Sequence, residues 1–278
     1  MSDVRTEERP AGATRTGPNP PGDFIWYELM TTDPKGAKAF YDAVIGWNIQ
    51  AEALPGPVEY RMIGRSDGGN AGGVLTLTDD MAQHGARPVW LGYINVSDVD
   101  ETVAAIERAG GAALMPASDI PDVGRIAMVK DPQGSPFYIM KPIPPAGREK
   151  EASDVFSPTA EQRVGWNELV TSDREAARRF YGEQFGWTSD EFMPMGELGE
   201  YRFWDHHGVR LGAVCGPIPD EQPHWRYYFR VASIAKAKET AEGNGGIVYM
   251  GPHEVPSGDW IIIGKDPQGA EFALVGGQ

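Results

Sequence analysis

The sequence predicts an α+β fold of tandem βαβββ modules, and three observations carry that prediction. One long stretch is written twice, each copy alternates like a strand before switching to helical spacing, and the same unit restarts within each half. WYELMTTDPKGAKAFYDAVIGW (26–47) returns as WNELVTSDREAARRFYGEQFGW (166–187). Trp26, Glu28, Leu29, Thr31, Asp33, Ala37, Phe40, Tyr41, Gly46 and Trp47 each recur 140 positions on, from 26 to 166 through 47 to 187. Internal repeats are read first because they fix the number of folding units. Further on, EYRM (59–62) meets EYRF (200–203), and KDPQG (130–134) meets KDPQG (265–269), now displaced by 135 (130 to 265). A shrinking displacement means small deletions in the loops of a duplicated domain.

The elements follow in order. Residues 24–31 alternate as a strand, and Asp33 caps a helix whose first position is Pro34. Ala37, Phe40, Tyr41, Val44 and Ile45 form its apolar stripe, and Gly46 stops it. Extended segments follow near 48–53, in YRMIG and in GGVLTLT. The cycle restarts with PVWLGYINV, then Asp98 as a cap with Glu101 three residues on, and a helix to Ala109. Gly110 and Gly111 end it, and strands are expected around 112–115, 124–129 and 136–141. The expected divisions are a disordered proline-rich tail (1–22), a first domain (23–142), a proline- and charge-rich linker (143–163) and a second domain (164–278).

Composition narrows the function classes. The chain of 278 residues is long enough for two cores, and 41% hydrophobic with 23% charged residues fits a soluble globular protein. Acidic residues (40) outnumber basic ones (25), which argues against nucleic acid and anionic membranes as partners. No apolar run approaches the roughly 18 residues of a membrane helix, and the N-terminal residues lack a secretory pattern. A single cysteine, Cys215, allows no internal disulfide; the expected compartment is the cytoplasm.

The strand–Asp–helix–FY–GW opening and the late DPQG turn resemble the vicinal oxygen chelate (VOC) superfamily, the glyoxalase/bleomycin-resistance/dioxygenase group. The resemblance covers roughly 24–142 and 164–276, nearest to two-domain glyoxalase-like proteins. It implies two VOC domains, each a curved mixed sheet around a cleft with helices on the other side. Strand alternation then assigns faces. Trp26, Glu28 and Met30 share the cleft with Leu91, Tyr93 and Asn95 and with Pro136, Tyr138 and Met140. The second cleft receives Trp166, Glu168 and Val170, His224, Arg226, Tyr228 and Arg230, then Glu271, Ala273 and Val275.

Metal-dependent members of the superfamily place His, Gln or Glu seven residues before the helix-capping Asp and a carboxylate seven after the DPxG Asp. Those slots, with the one on the fifth strand, hold Trp26, Leu91 and Tyr138 here, then Trp166, Arg226 and Ala273. No metal and no cofactor is expected, although a displaced site of Glu168, Glu271 and His224 stays open. Two residues along a strand span about 7 Å, too far for Glu28 to replace Trp26 at a metal–oxygen distance of about 2.0–2.6 Å.

Glu28 and Tyr138 are the candidate catalytic residues. Trp26, Met30, Tyr93, Asn95, Met140, Trp166, Glu168, Arg226 and Tyr228 are the candidate ligand-binding ones. The first cleft has the aromatic, apolar makeup of a small-molecule pocket, while Arg226 and Arg230 could hold an anion in the second. A carboxylate among aromatics can serve as general acid or base. The bland alternative pairs Glu28 and Glu168 with Arg61 and Arg202, and lets Trp26 and Trp166 merely fill space.

The expected function is binding of a small aromatic or carbonyl molecule without the usual metal centre, as a metal-independent isomerase or lyase. A non-catalytic binding or resistance protein, a metal-dependent lyase or dioxygenase with displaced ligands, and a structural protein with filled clefts stay open as alternatives, as does a homodimer. GRSDG (64–68) lacks the helix that a nucleophile elbow needs, DPQG reads as a tight turn, and His206 and His207 should point to opposite faces.

Overall fold

The computed structural model describes residues 17–144 and 146–278. The expected tail of residues 1–22 falls mostly outside that range. Strands β1 (Phe24–Thr31), β2 (Asn48–Ile49), β3 (Tyr60–Gly64), β4 (Asn70–Thr76), β5 (Val89–Asn95), β6 (Ala112–Ile120), β7 (Gly124–Lys130) and β8 (Pro136–Pro142) form one sheet, ordered β2-β3-β4-β1-β5-β8-β7-β6. The second sheet repeats that order with β9 (Val164–Val170), β10 (Phe192–Pro194), β11 (Glu200–His206), β12 (Val209–Cys215), β13 (His224–Val231), β14 (Ile247–Glu254), β15 (Trp260–Lys265) and β16 (Glu271–Gly276). This is the two-domain α+β architecture the sequence predicts.

The helices are α1 (Pro34–Ile45), α2 (Asp79–Gln83), α3 (Val99–Arg108), α4 (Arg174–Phe185) and α5 (Ile234–Gly243). Local chemistry sets their ends. The Asp33 carboxylate accepts from the backbone of Lys35 and Gly36, and Gly46 takes the left-handed φ of 82° that closes α1. Asp173 and Gly186 do the same for α4. Among the described residues no helix is long and apolar enough to cross a membrane.

One core joins the halves. Tyr27, Phe40, Tyr41, Trp47 and Trp90 of the first half share a buried cluster with Tyr181, Trp187, Trp225, Tyr227 and Phe229 of the second. Reciprocal hydrogen bonds cross it. The Tyr41 hydroxyl donates to Asp266 at 3.0 Å, and the Tyr181 hydroxyl to Asp131 at 3.1 Å. The Trp47 indole donates to the Gln162 carbonyl (2.9 Å), and that of Trp187 to the Gly22 carbonyl (2.8 Å). Each DPQG aspartate also collects its own turn, Asp131 Oδ1 accepting from the backbone of Gln133, Gly134 and Ser135. The turn motif and the FY and GW motifs therefore hold the two halves together, each reaching into the other.

Two details depart from expectation. The short helix α2 has no counterpart in the sequence pattern, because DDMAQ carries no apolar stripe. His206 and His207 do not point apart: their ring centroids lie 4.4 Å from one another, since His207 leaves the strand with a φ of 45°. Ser66 stands in the turn between β3 and β4, where its hydroxyl donates to Gln162.

Candidate functional site

The face of the first sheet turned away from the shared core carries a separate cluster of Ile25, Met30, Leu75, Leu91, Tyr93, Ile126, Tyr138 and Met140, with Trp26 and Tyr60 packed against it. Glu28 sits among them on β1, in register with Gly73 of β4 and Leu91 of β5. Trp26 faces Tyr93, and Tyr93 neighbours Tyr138. The rings of Tyr93 and Tyr138 stack with centroids 4.3 Å apart. The Tyr93 hydroxyl donates to Glu28 Oε2 at 2.9 Å, and the Trp26 indole donates to the Tyr60 hydroxyl at 2.8 Å. Gly73 makes room here, because a Cβ at that position would collide with the Tyr60 hydroxyl.

Glu28 is 3% exposed, and its Oε1 has no hydrogen-bond partner among the described residues. Burial pushes its pKa from 4.5 up to about 7, against the opposing pull of hydrogen bonds from Tyr93, Tyr60 and Tyr138. Burial, followed by the nearby Glu28 charge, raises Tyr93 and Tyr60 far above the usual phenol range, so both remain neutral donors. A carboxyl poised near neutrality, with one oxygen uncommitted, is able to accept or deliver a proton.

The second sheet repeats the geometry with a different charge balance. The Trp166 indole donates to the Tyr201 hydroxyl at 2.8 Å, which donates to Glu168 Oε2 at 2.6 Å. Tyr228 adds a bond to Glu168 Oε1 at 3.2 Å. Where the first half has Leu91, the second has Arg226, whose guanidinium reaches Glu168 (2.7 Å), Glu271 (2.7 Å) and Glu221 (2.9 Å). His224 bonds Glu271 at 3.1 Å. Burial works against charge on Glu271, but the His224 hydrogen bond and the Arg226 charge hold its pKa down at about 2.

Several expected contacts are replaced by others. Arg61 and Arg202 do not pair with Glu28 and Glu168. Arg61 serves Glu59 and the carbonyls of Gln50 and Ala51, while Arg202 serves Glu200 and the Ser189 carbonyl. Parity explains it: Tyr60 and Tyr201 point to the carboxylates, so the next residue along each strand points away. Arg226 and Arg230 are not waiting for an anion, since three carboxylates surround the first and Asp259 holds the second at 2.6 Å. The Asn95 amide donates to the Asn19 carbonyl at 2.7 Å. The Cys215 thiol is buried and its pKa raised by that burial, leaving it inert.

A cover over the first site went unread in the sequence. The β4–β5 connection runs over 77–88, against 216–223 between β12 and β13, and the extra length forms α2. Met81 and Ala86 pack against the cluster, to which Leu77 of the same segment belongs. Thr78 caps the helix by accepting from the Met81 N–H, and backbone hydrogen bonds within the segment join Ala82 to Thr78, His84 to Asp80, Gly85 to Ala82 and Ala86 to Met81. Arg87 returns to the Ala82 and Ala86 carbonyls. The Leu77 N–H, donating to the Thr31 carbonyl of β1 at 2.8 Å, ties down the start of the segment, and apolar contact seats α2 beyond it.

The residues at the superfamily's metal positions do not suit a divalent cation. They are an indole, an isobutyl group and a phenol in the first half, and an indole, a guanidinium and a methyl group in the second. Burial pushes the Tyr138 phenol upward, opposing the ionisation that ligation requires. Of the displaced set, Glu168 and Glu271 bind the Arg226 guanidinium, and His224 bonds Glu271. Among the described residues there is no group of three or more His, Cys, Asp or Glu arranged to hold an ion.

Comparison with known proteins agrees with this layout. The profile of the Glyoxalase/Bleomycin resistance protein/Dioxygenase superfamily matches residues 24–139, and that of the bleomycin resistance protein-like N-terminal region matches 163–198. The putative glyoxylase CFP32 of Mycobacterium tuberculosis is 30% identical over 90% of this chain and 93% of its own length. This chain belongs to the glyoxalase/bleomycin-resistance/dioxygenase superfamily. Within that superfamily, the anthracycline biosynthesis protein DauV of a Streptomyces species is 28% identical over 92% of this chain and 93% of its own. The Mn(II)-bound glyoxalase of Novosphingobium aromaticivorans shares the fold, with a TM-score of 0.60 at 15% identity, covering 92% of this chain and 82% of its own.

Proposed function

We propose that this glyoxalase-like protein binds a small organic molecule, aromatic or carbonyl-bearing, at the first-half cluster around Glu28, and acts on it as a metal-independent isomerase or lyase. The observation that carries the reading is the buried Glu28 carboxyl with a free Oε1 and a pKa near 7. Its place among Trp26, Met30, Tyr93, Tyr138 and Met140 supplies apolar surface for the body of a ligand. Glu28 takes a proton from the bound molecule or returns one. Tyr93, stacked on Tyr138, holds the carboxylate through Oε2 while it is charged. The cover formed by α2 lifts to admit the ligand and reseats to exclude water.

The relative named for anthracycline biosynthesis supports an aromatic ligand, and Trp26 and Tyr93 offer faces for one. The second-half site, closed by Arg226 and its carboxylates, serves stability. Glu28→Gln in the full chain tests the reading by separating binding from turnover. Lost conversion with retained binding supports catalysis, retained conversion refutes it, and binding without conversion by the unaltered protein leaves a sequestering protein. Bound ligand should also slow amide exchange over 78–87; unchanged exchange there argues against entry beneath α2.

A further inference from the structure

The duplicated fold provides its own comparison. Glu28 faces Leu91 in the register of the first half, and Glu168 faces Arg226 in the second. Trp26 faces Tyr93 as Trp166 faces Tyr228. The indole-to-phenol bonds Trp26–Tyr60 and Trp166–Tyr201 both measure 2.8 Å. The difference lies in what meets the carboxylate. In the second half a guanidinium lies 2.7 Å from Glu168 Oε1. In the first, Leu91 leaves Glu28 Oε1 buried and without a partner among the described residues.

We infer that the ligand of the first-half site carries a cationic nitrogen group, a protonated amine or an amidinium, which meets Glu28 as the Arg226 guanidinium meets Glu168. The inference rests on the proposed reading of that cluster as the ligand site and names the class of molecule it takes. A neutral donor satisfies the lone oxygen but leaves a buried negative charge unbalanced, whereas a cation does both. The Tyr93 hydroxyl occupies Oε2, so the incoming group meets Oε1. The positions matching His224 and Glu271 hold Val89 and Pro136, so the first half has no internal substitute for the ion network of the second. The tyrosines are the titratable groups that face Glu28, and burial keeps them neutral. Cation binding therefore tightens as pH rises through about 7 and Glu28 ionises.

Calorimetry with the full chain decides the matter, using benzamidine and 2-phenylethylamine against their neutral counterparts benzamide and 2-phenylethanol. The expected result is binding of each cation at least about tenfold tighter than its counterpart, with the preference erased in Glu28→Gln. Leu91→Arg supplies the guanidinium from within and should abolish cation binding without lowering the unfolding midpoint. If that variant fails to fold, the near-isosteric Glu28→Gln still separates the two outcomes. Neutral probes binding within about threefold of the cations overturn the inference and leave the site reading standing. Silence from all four probes, with exchange over 78–87 unchanged, overturns both.

Discussion

Replacing Glu28 with Gln should flatten one segment of the pH–stability curve. The folded protein holds this carboxyl at about 7 against an ordinary value of 4.5. At 1.36 kcal/mol per pKa unit, that rise corresponds to about 3 kcal/mol. The sign follows from proton uptake: between those two values the folded state binds more protons than the unfolded chain. The wild-type protein is therefore favoured below 4.5 and loses stability as pH rises, with the whole penalty present above about 7. Gln carries no ionisable proton and escapes the penalty. Urea unfolding of both proteins across this range should show the variant gaining about 3 kcal/mol on the wild type towards high pH. Parallel curves would refute the claim that Glu28 is buried without a counter-ion, and with it the candidate site.

Two further outcomes are expected. Tyr41→Phe and Tyr181→Phe each strip a donor from a buried aspartate across the halves and should cost about 1–3 kcal/mol apiece in denaturant unfolding. A loss below experimental error would remove these bonds from the account of how the halves hold together. Arg226→Met strands Glu168 and Glu271, and should destabilise by about 3–5 kcal/mol while bringing the Glu271 titration up from about 2. NMR titration that leaves Glu271 unmoved would contradict the ion network.

The duplicated fold was legible because its signals are local and repeated: a capping aspartate, an apolar stripe and a stopping glycine appear at matched positions in α1 and α4. Alternation along β1, β5 and β8 likewise grouped Trp26, Glu28, Tyr93 and Tyr138 on one face. What escaped depended on side chains meeting from distant segments. The YR repeat drew Arg61 and Arg202 towards the glutamates, although alternation applied to β3 and β11 would have chosen the tyrosines. Alternation also placed Glu168, Arg226 and Glu271 in one cleft, whereas Glu221, the third carboxylate on Arg226, lies in the connection before β13, where no alternation applies. The five residues of α2 are too few for periodicity to register. The only trace of the cover was the drop in repeat displacement between the YR and DPQG motifs.

Tyr41 and Tyr181 fasten each half to its sibling, so the pair behaves as a dimer whose two subunits share one peptide chain. A dimer of identical subunits writes every substitution into both sites at once. Fusion breaks that bond between copies, allowing Leu91 to stand where its counterpart became Arg226. One site is then filled by a fixed charge, while the other keeps a buried carboxylate oxygen that no described residue satisfies.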